Sequence, residues 1–276
     1  METKKEPESV IRDIVVISDT HFGSSVALMP PNFKTDDGQT VQQSKIQEKL
    51  WEHWLDFWQW TYRRIQGRPF ALIHNGDIID GDHHGTKQLI TGNSAIQARM
   101  AVATLRPHVE KSKAFYVIRG TEAHVGHSAE LEEKIAESLK AVVDESTGSF
   151  SRWELWVELG KELLHFSHHI GTTSSAAYKS SPLMRTMAAA FATAGEWGIR
   201  APSFLIRGHC HDYTEVKRSN CRIVTCPCWQ VKTGFVYKFN TTDQPVIGGL
   251  LIKLGDEGVH VREKIYTIDR PAFVKL

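Results

Sequence analysis

The chain has 276 residues, enough to bury a sizeable core, and is expected to form one domain over 1–276. Lysine and arginine number 33 against 32 aspartates and glutamates, so no bulk field draws the protein onto nucleic acid or anionic membrane, and any polyanion contact has to be local. Four cysteines, Cys210, Cys221, Cys226 and Cys228, are too few and too unevenly spaced for a disulfide framework, which leaves reduced thiols as the expectation.

The opening METKKEPESV is charged and lacks the apolar stretch of a secretory signal, which points to a cytoplasmic protein. IRDIVVIS (11–18) is the first run that reads as a buried strand, and Asp19 and His21 follow it at once. After an insertion, QEKLWEHWLDFWQWTYRRI (47–65) sets Trp51, Trp54, Leu55, Trp58, Tyr62 and Ile65 on one stripe at helical spacing. Such a stripe packs against a sheet, or else offers aromatic faces to a nucleotide. FALIHNG (70–76) is the second strand and leads to Asp77 and Asp80. SAIQARMAVATLRPHVEKS (94–112) reads as a helix capped by Ser94 and ended or kinked at Pro107. AFYVIRG (114–120) is the third strand, running into Thr121, Glu122 and His124, and SAELEEKIAESLKAVV (128–143) is a third helix with acids in its first turn.

Past residue 150, RWELWVELGKELLHFSHH reads as a hairpin turning at Gly160 and Lys161, with His168 and His169 at its end. The apolar TMAAAFATA lies between Arg185 and Glu196 and falls far short of the roughly 20 residues of a membrane span. SFLIRGH (203–209) brings His209 and His211, and CRIVTCPCWQV, GGLLIKLG and GVHVREKIYTI continue the strand character. Helix-interleaved strands first and strand-rich sequence later suit two stacked sheets with helices outside.

Each of the five strand runs is thus followed by an acid or a histidine, in a chain with 14 histidines. In open α/β sheets ligands bind beyond the carboxyl ends of strands, where loops are exposed on rigid supports. Converging tips would form a cage of nitrogen and oxygen donors, which suits Mn, Fe, Zn, Ni or Co rather than a thiolate zinc site. The donors outnumber the needs of one tetrahedral ion, so Asp77 is expected to bridge two. Two ions about 3.5–4 Å apart activate a shared water and hold both oxygens of a phosphoryl transfer, so phosphoester hydrolysis follows. Cys210, between His209 and His211, is expected to face away, because alternate residues of an extended segment point opposite ways. Cys226 and Cys228 offer a structural zinc as the rival reading.

SDTHFG, NGDIID, a Gly-led loop ending in His, SHH and RGHCH, in that order from about residue 11 to 213, resemble the motifs of the calcineurin-like metallophosphoesterase superfamily. Those motifs are D-x-H, G-D-x-x-D, G-N-H-(D/E), a lone His and G-H-x-H. The resemblance implies an α/β fold, a four-layer αββα sandwich of two mixed β-sheets flanked by helices. It also implies a dinuclear metal-dependent phosphoester hydrolase in which a bridging hydroxide attacks phosphorus in line. Phosphodiester substrates, nucleotides or nucleic acid among them, are favoured over monoesters, and no membrane partner is expected. A phosphomonoesterase, or a non-catalytic scaffold that has lost its second metal, are the alternatives.

By that resemblance two divalent transition-metal ions, Mn first and Fe, Zn or Ni as alternatives, are held by Asp19, His21 and His211 on one side and His168 and His209 on the other, with Asp77 between. His168 is taken over His169 because it is first after the strand. Asp80 is assigned to orient a ligand histidine. The departure lies at Gly120, which is followed by Thr121, Glu122, Ala123 and His124 in place of Asn-His, a G-T-x-x-H pattern similar to phage and prophage relatives. Glu122 is taken as the replacement ligand, with a water as the other option, and His124 as the general acid. Arg119, His83 and His84 are candidate substrate contacts, although Arg119, like Arg207, could instead pair with a nearby acid.

Overall fold

A computed structural model describes residues 10–82, 85, 87–126, 128–173, 175–239 and 244–268. His83 and His84 lie outside the described residues. In chain order the elements are β1 (Asp13–Ile17), β2 (Phe33–Lys34), β3 (Thr40–Val41), α1 (Lys45–Ile65), β4 (Phe70–His74), α2 (Ser94–Val109), β5 (Ala114–Ile118), α3 (Glu122–Val125), α4 (Glu130–Ser138), β6 (Ser151–Arg152), β7 (Glu154–Leu159), β8 (Glu162–Ser167), α5 (Ser180–Trp197), β9 (Phe204–Arg207), β10 (Glu215–Lys217), β11 (Arg222–Thr225), α6 (Gly234–Phe239), β12 (Ile247–Gly255) and β13 (Gly258–Tyr266).

Two mixed sheets carry the architecture. One has the order β13-β12-β1-β4-β5-β6, with β1, β4, β5 and β6 parallel and β12 and β13 antiparallel to their neighbours. The other has the order β10-β11-β9-β8-β7, with β8, β9 and β11 parallel at its centre. Every residue of β1 and β4 is buried, as expected of parallel strands covered on both faces. Their alternate side chains serve two cores. Val15, Ile17 and Leu72 pack under α1, α2 and α4, against Trp54, Met100 and Ile135, while Ile14, Val16 and Ile73 meet Phe166, Ile206 and Val224 of the second sheet. On the far side of that sheet Leu205 and Ile223 pack under Leu183 and Met187 of α5. The order is therefore helix, sheet, sheet, helix.

The helices depart from expectation in detail. Ser44 and Gln47 close a capping box on α1, which ends at Gln66 in a left-handed conformation. Its buried face is rotated from the expected stripe: Leu50, Phe57 and Trp60 are buried with Trp54, Trp58 and Ile65, whereas Leu55 is 52% exposed. The sheet takes its facing residues from a wider arc than the tryptophan spacing marked. Asn93, not Ser94, caps α2, and Pro107 sits in its last turn, so the helix runs on to Val109. α4 starts after a left-handed Ala129 and stops at Ser138, shorter than expected. No described helix is long and apolar enough to cross a membrane.

Candidate metal centre

Parallel pairing brings the strand tips to one edge and carries on into the loops. The Asp19 amide donates to the Gly76 carbonyl at 2.9 Å and the His21 amide to Asp77 at 3.2 Å, so the first two motifs run side by side beyond their strands. From the second sheet, the Gly208 amide donates to the His168 carbonyl at 2.9 Å. The His168 imidazole crosses between sheets, its Nδ1 on the Asn75 carbonyl at 2.7 Å. That bond fixes the tautomer and leaves Nε2 directed at the acids.

Five of these residues occupy the left-handed region of backbone space: Asp19 (φ 52°), His21 (45°), Asp77 (53°), His209 (70°) and His211 (51°). Each such conformation costs on the order of 1 kcal/mol outside glycine and persists only where its surroundings enforce it. Two glycines permit the crowding. A Cβ on Gly120 would stand 2.2 Å from Asp77 Oδ1, and one on Gly76, itself at φ 93°, 2.3 Å from His168 Nδ1.

Three groups of residues can hold a metal ion: Asp19, His21 and His211; Asp77, His168 and His209; and His21, Asp77 and His124. In the first, the Nε2 atoms of His21 and His211 are 3.0 Å apart, and His211 Nε2 is 3.2 Å from Asp19 Oδ1. In the second, His168 Nε2 lies 3.0 Å from Asp77 Oδ2. Donors about 2.0–2.2 Å from one cation stand roughly 3.0–3.5 Å from one another, so these spacings fit ions held between the side chains. Asp19 Oδ1 and His168 Nε2 are buried and meet only these facing donors, with no other hydrogen-bond partner among the described residues.

Charge makes the same demand. Burial pushes the Asp19 and Asp77 carboxyls up, but the charge of His168, joined by the hydrogen bond and charge of His211 at Asp19 and by the His168 hydrogen bond and the His124 and His21 charges at Asp77, outweighs it, and both are held well below the carboxylate range. Burial likewise pushes His168 down, and the Asp77 and Asp19 carboxylates outweigh it, raising that imidazole to about 10. Two buried carboxylates thus draw positive charge to their midst, and a metal ion would release the histidine proton on binding.

A surrounding set of groups holds the donors in place. Asp80 Oδ1 is 3.1 Å from His21 Nδ1 and accepts from Gln230 Nε2 at 2.9 Å. Thr121 donates its amide (2.7 Å) and its hydroxyl (3.0 and 3.1 Å) to the Asp77 carboxylate. His124 Nδ1 sits 2.6 Å from the Asp80 carbonyl, with its ring 4.5 Å from that of His21. Glu132, which the sequence reading passed over, is fully buried and accepts from the Gly120 amide at 2.6 Å and the Ile78 amide at 3.0 Å. One carboxylate thereby ties the second and third strand tips together.

Other expected residues are not brought in. Glu122 is exposed on the first turn of α3 and belongs to none of the three groups, because that turn aims it outward while Thr121 faces Asp77. Arg119 donates to Ser151 at 2.9 Å, with Glu133 3.6 Å away, and its guanidinium lies over Trp153. Arg207 is buried on the His165 and Ile206 carbonyls. His169 is exposed beside His168, and Cys210 packs with the α5 core, away from the donors.

No family model and no curated protein matches the chain. Among solved structures it is similar to Vps29 from Chaetomium thermophilum, at 11% identity over 93% of this chain and 97% of that one with a TM-score of 0.43. It is also similar to an archaeal phosphodiesterase (11% identity, 92% and 99% covered, TM-score 0.42) and to a predicted phosphoesterase from Streptococcus pneumoniae TIGR4 (12%, 92% and 98%, TM-score 0.36).

Proposed function

We propose that the chain is a metal-dependent phosphoesterase that takes two divalent transition-metal ions, manganese first among them, and acts on phosphodiesters, nucleotides and short single strands included. The observation that supports this reading is the meeting of two donor triads, Asp19–His21–His211 and Asp77–His168–His209, five of the six residues being on left-handed backbone. Asp19, His21 and His211 would hold one ion, His168 and His209 the other, and Asp77 both. The ions would supply Lewis-acid charge to the attacking and leaving oxygens of a phosphoryl group.

The chain's own residues position and protonate. Thr121 pins the Asp77 carboxylate, and Asp80 holds His21 through Nδ1 so that Nε2 faces the acids. His124 commits Nδ1 to the Asp80 carbonyl, which makes Nε2 the atom that holds a proton and releases it to the leaving oxygen. A balance of 33 cationic to 32 acidic side chains favours small or single-stranded substrates over a long duplex, whose affinity rests on many phosphate contacts. Four free cysteines favour a reducing, cytoplasmic setting.

Metal content and turnover together test the reading. Protein supplied with Mn, Ni, Zn or Mg is expected to retain about two ions per chain and to hydrolyse bis(4-nitrophenyl) phosphate faster than the monoester. Asp77→Ala and His209→Ala are expected to lose both properties. Full turnover in these variants, or no metal kept by the wild-type chain, overturns it; a faster monoester reaction turns it to a phosphomonoesterase.

A further inference from the structure

Lys232 is 5% exposed, and its Nζ has no hydrogen-bond partner among the described residues. None of the ion pairs among the described residues includes it; the group it meets is the Tyr237 ring, 4.6 Å away. Removing an ammonium from water without an anion is costly, and an aromatic face compensates only in part. Where such a group persists unpaired, the missing partner is an anion.

Its position says which anion. The segment before it hangs on the candidate centre: the Trp229 amide donates to the Asp19 carbonyl at 2.9 Å, and Gln230 bonds Asp80 Oδ1 at 2.9 Å and Ser24 Oγ at 3.1 Å. Antiparallel pairing with the 26–28 stretch, through Leu28 to Trp229 (3.1 Å) and Val231 to Val26 (3.0 Å), keeps the segment extended. Gln230 and Lys232 therefore share a side, and both are buried while Val231 between them is half-buried. Residues two apart in an extended chain are separated by roughly 7 Å, about the step from one phosphate of a nucleotide chain to the next. The Tyr237 ring that Nζ meets is itself 52% exposed.

We propose that Lys232 forms an oxyanion subsite beside the candidate centre, which receives a second, non-scissile phosphate of the substrate. The assignment of that phosphate to a substrate rests on the phosphoesterase reading; the presence of an oxyanion site does not. Its simplest test is titration of chelator-treated protein with inorganic phosphate, followed by calorimetry, on the wild type, Lys232→Met, Lys232→Gln and Lys232→Arg. Phosphate affinity is expected to fall at least tenfold in the Met and Gln variants and to be largely kept by Arg, with unchanged circular dichroism as the control for folding. Equal affinity in both neutral variants, or no binding by the wild type, overturns the subsite.

A second arm separates a substrate phosphate from free phosphate. For the metal-loaded protein, the ratio of kcat/KM for the thymidine dinucleotide with a 5′-phosphate to that for the same dinucleotide without one is expected to drop at least tenfold in Lys232→Met. An unchanged ratio overturns the substrate role. Failure of the wild type to cleave either dinucleotide counts against the phosphoesterase reading and leaves the phosphate titration to decide the subsite.

Discussion

β1 holds a buried aspartate at one end and delivers another just past the opposite end, and the two are treated in opposite ways. Asp13, 1% exposed, opens the strand against permanent cations: Arg68 Nε is 2.9 Å from its carboxylate and Lys253 Nζ is 3.7 Å away. Asp19, fully buried just past the other end, meets histidines instead, with His211 at 3.2 Å and His21 and His168 at 3.9 Å. A guanidinium is always charged and closes its site for good, whereas an imidazole can stand neutral and offer a lone pair. The same residue type thus builds a structural clamp where its partner charge is fixed, and an open demand for charge where it is not.

Neutralising each aspartate in turn breaks the comparison most directly. Asp19→Asn is expected to abolish metal retention and turnover, while Asp13→Asn keeps both and loses about 1–3 kcal/mol of stability, its partners being too exposed to cost as much as a fully buried pair. Thermal unfolding adds a second readout: metal at a hundredfold over its Kd stabilises by about 2.7 kcal/mol, and the resulting rise in Tm should vanish in Asp19→Asn alone. Metal retained at wild-type level in Asp19→Asn would erase the contrast. A smaller effect is expected from Asp80→Asn, which keeps shape but removes the charge facing His21 Nδ1. Loss of such an orienting partner lowers metal affinity roughly 10–100-fold, measurable by competition with a chelating dye.

Much of this was legible in the chain. The strand tips were readable because each is a short apolar run that stops at a carboxylate or an imidazole, whereas the close backbone approaches at Gly76 and Gly120 show only in the fold. What escaped is what leaves no side-chain pattern. Glu132 binds two backbone amides, so its partners have no identity in sequence, and an acid in a first helical turn reads as a dipole complement. Gln230 sat unnoticed in a stretch that read as plain strand, yet its amide steadies Asp80. Glu122 was favoured for its charge, but the one-turn helix aims it outward and leaves the neutral Thr121 on Asp77. α5 escaped because its alanine-rich sequence offers only Leu183 and Met187 as strong anchors in the core beneath it.

Glu132 itself supplies the mildest test, and it turns on two opposed effects. Burial and the nearby Asp77 carboxylate push its carboxyl up to about 8, while the Gly120 and Ile78 amides pull it back by favouring the charged form. An acid with a raised folded pKa binds more protons native than unfolded between its ordinary value of 4.5 and about 8, so stability falls as pH rises through that window. Titrating histidines blur this in the wild type alone, so the difference from Glu132→Gln, which has no proton to lose there, is the quantity to measure. In metal-free protein that difference should move in favour of the variant from pH 5 to 8, by at most about 1.4 kcal/mol per pH unit. With metal loaded, the charge on Asp77 is offset and the slope should shrink. A flat difference without metal would mean that the two amides outweigh burial, and that Glu132 stands ionised beside Asp77 as a third carboxylate drawing cations to this end of the sheet.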